Sequence, residues 1–208
     1  MGTANKEYQA QLRQLAELML AVSGESVTMM KRNAPEQALK LKRQDEWGIY
    51  LEFLKVMFNL TDRLTALHIP LKDQMEFMNG LEDAVTTQLK AVLEPAFGNN
   101  ADQMEIVLTV GNAVAESRDL YEKYKFLITE DSKSKNELFQ SFSERVAGAI
   151  GAPQNGQVIA AATLCASAII PAISAILKGE APPSASPSTP LQKPATATGN
   201  GESAKKGP

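Results

Sequence analysis

Apolar residues recur along this chain at spacings of three and four, broken by clusters of Pro, Gly and Asn, a rhythm that predicts helices throughout. Tyr8, Leu12, Leu15, Met19 and Val22 form one stripe of a first helix over about residues 5–31, widened by Leu18 and Leu20 beyond a coiled-coil seam. Ser23-Gly24 is a candidate bend inside it. Asn33-Ala34-Pro35-Glu36 reads as a stop and restart, after which Asp45 is placed to cap a fresh helix. From Glu46 to His68 apolar residues occupy most of the circumference, including Trp47, Ile49, Phe53, Leu54, Val56, Phe58, Leu60 and Leu64. A helix greasy on nearly every side belongs in the middle of a bundle, with the segment around Trp47 innermost.

Pro70 ends that helix, because it disfavours helical geometry at Ile69. A third long helix is predicted over about 72–94 on the register Met75, Met78, Leu81, Val85, Leu89 and Val92, closed by Pro95 and Gly98-Asn99-Asn100. A fourth follows over about 102–128 through Met104, Val107, Leu108, Val114, Tyr121, Tyr124 and Ile128. A fifth, over about 135–150, carries Leu138, Phe139, Phe142, Val146 and Ile150 and stops at Gly151 and Pro153. The sixth is the apolar run Val158–Leu177. No segment alternates as a strand does, so the fold class is all-α, a compact bundle of about six helices around Glu46–His68. That domain occupies residues 1–178. From residue 179 to 208 the composition turns to Pro, Ser, Thr and Ala with Leu191 the only large apolar residue, which predicts a disordered tail.

Glu46-Trp47, Phe53-Leu54, Thr61-Asp62-Arg63, and Leu138-Phe139 with Phe142, Val146-Ala147 and Gly151 resemble an uncharacterised family of bacterial helical proteins. The resemblance implies a soluble six-helix fold and carries no function with it.

Composition narrows the chemistry. A net charge of −3 argues against a protein whose main task is neutralising phosphates, so nucleic acid is not the expected partner. The single cysteine, Cys165, excludes an internal disulfide framework and fits a reducing compartment. A ferritin-like di-metal centre needs two Glu-x-x-His units; here Thr65 stands three residues before the one histidine, His68. No cofactor or metal is expected. The first helix mixes Glu7, Arg13 and Glu17 into its apolar positions rather than forming an export signal, so the cytoplasm is the expected location.

Three features remain as candidate sites. On the central helix Glu52, Lys55, Asn59 and Asp62 follow spacings of three, four and three and share one face, with Arg63 beside them. As a pocket, Glu52, Asn59, Asp62 and Arg63 would supply a carboxylate base and a planar cation for an anionic substrate. As plain structure, the same stripe is a solvated edge with a Glu52–Lys55 pair. Five bases between residues 31 and 43, namely Lys31, Arg32, Lys40, Lys42 and Arg43, face one acid, Glu36. They form either a docking patch for an acidic partner, anionic lipid or nucleic acid, or an ordinary solvated face. Val158–Leu177 is twenty residues without a charge, the length of a membrane span and equally a buried helix of a soluble core. With no catalytic set in view, the expectation is a non-enzymatic cytoplasmic module that binds an unknown protein partner. Its alternatives are inner-membrane association through Val158–Leu177, or an enzyme or small-ligand binder with a pocket between helices.

Overall fold

The computed structural model describes residues 7–97, 103–125 and 133–180, and the predicted tail lies outside these beyond Glu180. Among the described residues the chain is all-α, with seven helices and no strand. Six are long: α1 (Gln9–Asn33), α3 (Arg43–His68), α4 (Leu71–Phe97), α5 (Gln103–Tyr121), α6 (Lys133–Ala149) and α7 (Gly156–Leu177). A single turn, α2 (Pro35–Ala38), joins α1 to α3, with Pro35 at the first helical position where its missing N–H costs nothing.

The ends are set by identifiable groups. At the start of α3 the Asp45 carboxylate accepts the Lys42 backbone N–H at 2.8 Å, so Asp45 caps from inside the first turn rather than from the position before it. The Asn155 side chain caps α7 by accepting from the Gln157 and Val158 amides at 2.9 and 3.2 Å. Gly151 closes α6 at φ +76°, which lets the Ala152 amide reach back to the Ala147 carbonyl at 2.8 Å. Ser23-Gly24 does not interrupt α1. Nor does Pro95 stop α4, which continues to Phe97.

Successive long helices run up and down. Tyr8 meets Phe77 edge-on at 5.5 Å, and the Gln88 amide donates to the Arg13 carbonyl, so α1 and α4 run the same way. Cys165 lies 3.2 Å from Met29, and the Asn155 amide donates to the Asn33 carbonyl at 3.4 Å, so α7 runs against α1. α3 packs on α1, α4, α5, α6 and α7, as expected of a central helix. Ile49, Phe53, Leu54, Val56, Met57, Phe58, Leu60 and Leu64 are buried, and Phe53 meets the Phe142 ring edge-on at 5.0 Å. The innermost stretch is therefore Ile49–Thr65. Trp47, expected deepest, is half-buried near the helix start and stacks on Tyr50 at 4.9 Å.

Around α3 the other helices form a ring in the order α1, α4, α5, then α6, α7 and back to α1. The ring has one loose joint: α5 and α6 flank α3 without packing closely on each other. Two helix faces differ from the predicted ones. α4 buries Phe77, Met78, Leu81, Val85 and Leu89 while Met75 and Val92 are exposed, and α5 buries Ile106, Val110, Ala113, Ser117 and Tyr121 while Met104, Val107 and Leu108 are exposed.

Candidate functional site

The polar stripe of α3 lies in that loose joint. Glu52, Lys55 and Asn59 look neither to open water nor into the apolar core; Glu52 and Lys55 are each 8% exposed and Asn59 is buried. The Glu52–Lys55 pair anticipated from the i,i+3 spacing exists, at 3.0 Å, but inside the wall of the bundle rather than on a solvated edge.

Its partners come from both flanking helices. Arg145 on α6 grips Glu52 with two parallel bonds, Nε to Oε2 at 2.8 Å and Nη2 to Oε1 at 2.9 Å. Lys55 also bonds Glu116 on α5 at 2.6 Å. Charges thus alternate from α5 to α6 as Glu116, Lys55, Glu52 and Arg145, a neutral series in which each buried ion has an opposite neighbour. Arg145 and Glu116 are the wet ends, with side chains 37% and 52% exposed. Burial alone would raise the Glu52 carboxyl, but its bonds from Arg145 and then Lys55 outweigh that and hold it below the ordinary carboxylate range. The Arg145 guanidinium is pushed up, chiefly by its bonds to Glu52.

One turn further along α3, Arg63 performs a different task. Its Nε donates to Asn59 Oδ1 at 2.8 Å and its Nη2 to the Tyr121 carbonyl at 2.7 Å, where α5 ends. A cation on the last carbonyls of a helix satisfies orphan acceptors and matches the negative end of its dipole. Asn59 reaches the Ser117 carbonyl at 3.5 Å, a long bond in the same seam. Asp62 is half-buried beside them and, with Glu122, counters the fall that burial imposes on the Arg63 pKa. The Tyr121 hydroxyl is buried next to Arg145 without a well-formed hydrogen bond, and burial, then the Glu52 charge, pushes its pKa up.

The structure therefore brings Glu52 and Lys55 together, and Asn59 with Arg63, in one continuous seam. It adds Glu116, Ser117 and Tyr121 from α5 and Arg145 from α6; of these, sequence reasoning named only Tyr121, and as a packing residue of the fourth helix. Arg145 had a faint signal, standing beside the buried Phe142–Val146 face of α6. Chemically the seam is a tie. Both Glu52 oxygens are engaged by cations, and Arg63 by a side chain and a helix end.

The other candidates lie apart from the seam. Lys31 is ion-paired with Glu46 of α3, while Arg32, Lys40, Lys42 and Arg43 are exposed around the α1–α3 connection. α7 is long and apolar enough to cross a membrane, and 33% of its most apolar stretch is buried in the bundle. Val158, Ala162, Ala166, Ile169, Ile173 and Ile176 face inward; Ala160, Leu164, Ala168 and Pro171 form an outward row. Comparison with protein-family models, curated proteins and solved structures finds no match to this chain.

Proposed function

We propose that this chain is a non-enzymatic cytoplasmic interaction module, a rigid helical platform that binds a protein partner through the outer face of α7. The observation that carries the reading is that outward row. Leu164 is 69% exposed in the middle of a helix with no charged residue between Val158 and Leu177, in line with exposed Ala160, Ala168 and Pro171. A surface helix ordinarily turns charged residues to water, and one that stays apolar on its outer face gains by being covered. The uncharged row fits the apolar face of a partner helix. The tie residues support the non-enzymatic part, since Glu52, Lys55, Arg63 and Arg145 are engaged with one another and with backbone.

A photo-crosslinking side chain placed at Leu164, used in extract of the native cell, tests this. The expected result is one crosslinked protein partner, displaced by excess unlabelled wild-type chain but not by a Leu164→Asp chain of unchanged melting temperature. A second reading rests on the length and apolarity of the same helix, which suit membrane association. Recovery of the chain only in a detergent-requiring pellet after a high-salt wash would favour that reading and defeat the first.

A further inference from the structure

The geometry points to a second contact at the end of the bundle where α1 finishes and α3 begins: a docking surface for an anionic lipid membrane. Four segments meet there. They are the last turn of α1, the α2 turn, residues 39–42, and the α6–α7 connection, which the Asn155 bond to the Asn33 carbonyl ties to α1. Leu39 is 90% exposed, the most exposed large apolar side chain among the described residues. It is flanked by exposed Arg32, Lys40 and Lys42, with Arg43 one residue on.

Glu46 pairs with Lys31, Asp45 accepts the Lys42 amide while keeping its charge, and Glu36 is the exposed acid of the segment; over residues 31–46 five bases still outnumber these three acids. The α6–α7 turn, Gly151 to Asn155, adds no charge. Half-buried Trp47 stacks on Tyr50 at the same end, and such rings favour the headgroup region of a bilayer. The described chain begins and ends at the opposite end of the bundle, where Gly179 lies beside Gln11.

Lipid is favoured over nucleic acid by Leu39. A phosphate backbone gains nothing from an aliphatic side chain held in water within a basic segment, whereas a bilayer accepts the side chain below its headgroups and the bases among them. Each base near an anionic leaflet strengthens binding about fivefold, so Arg32, Lys40 and Lys42 together contribute about a hundredfold.

The test uses the full chain and flotation with vesicles of about 30% phosphatidylserine in phosphatidylcholine, against phosphatidylcholine alone. Trp47 is the only tryptophan, so its emission reports the contact directly. Binding should require the anionic lipid, shift Trp47 emission to the blue and weaken steeply with salt. It should fall about a hundredfold in the Arg32→Gln, Lys40→Gln, Lys42→Gln triple variant and roughly tenfold in Leu39→Asn, with melting temperatures unchanged. Leu164→Asp should leave it intact, which separates this contact from the α7 face. Binding without anionic lipid, binding that survives the triple variant, or binding abolished by Leu164→Asp would overturn the proposal. So would tight retention by duplex RNA that Leu39→Asn leaves unaltered while vesicles are ignored.

Discussion

Replacing Glu52 with Gln removes one charge from the series Glu116–Lys55–Glu52–Arg145 while keeping shape, and turns one of two acceptor oxygens into an amide donor that faces a cation. In a dry interior, deleting one member of an ion pair costs about 3–5 kcal/mol, because the remaining charge stays buried. Here the cost is reduced from both sides. Arg145 is more than a third exposed and can turn toward water, and Lys55 retains Glu116 at 2.6 Å. About 2–3 kcal/mol should be lost, which for a domain of this size lowers the melting temperature by about 4–12 °C. Urea unfolding followed by Trp47 emission and far-ultraviolet circular dichroism measures it. The pH dependence supplies a second readout. Because the folded Glu52 carboxyl lies below its ordinary value of 4.5, its contribution is fully present above that value and disappears as pH falls through the folded one. The stability gap between wild type and Glu52→Gln should therefore be flat above about pH 5.5 and shrink as pH falls below 4.5. Arg145→Met combined with Glu52→Leu should cost less than the two single changes added together, by about 1 kcal/mol or more. A loss under about 0.5 kcal/mol for Glu52→Gln, or strict additivity of the pair, would refute the view that these charges tie α5 and α6 to α3.

Other substitutions test the frame. Gly24 is exposed inside α1 with open space where a methyl group would stand, so Gly24→Ala should raise stability by about 0.5–1 kcal/mol in chemical denaturation. Gly151→Ala also meets open space, but at φ +76° it should lower stability by about 1–2 kcal/mol, the opposite sign from the same substitution. Phe53→Ala, at a fully buried ring packed on Phe142, should cost about 3–5 kcal/mol in the same assay. Tyr121→Phe removes a buried hydroxyl without a well-formed partner and should change stability by less than about 1 kcal/mol; a larger loss would reveal a working bond to Arg145.

The elements were legible because punctuation and periodicity agree. Pro35, Pro70 and Gly151 fall at real boundaries, and α3 carries apolar residues on so many sides that only a central position can bury them. Face assignment was harder wherever a helix offers two rival stripes. On α5, Met104, Val107 and Leu108 outweigh Ile106, Val110 and Ala113 in bulk, yet the second set is buried. The choice is made by tertiary partners: Glu116, Ser117 and the Tyr121 carbonyl must meet Lys55, Asn59 and Arg63. In α1 the buried stripe continues through Ser23 and Ser26 to Met30, where small polar residues replace the expected Val22. The alignment of Glu52, Lys55 and Asn59 was readable from spacing alone. Their surroundings were not, because Arg145 lies 93 residues from Glu52 along the chain and no local pattern joins them.

The central place of α3 carries a consequence for how the chain is made. Residues 43–68 leave the ribosome before two of the walls that shelter them, α6 and α7, which are synthesised more than sixty residues later. Until Gly156–Leu177 has emerged, a nascent chain holds Phe53, Met57 and Phe58 without their full complement of neighbours. Such a chain presents apolar surface until α7 closes over it, the circumstance in which partly folded chains aggregate.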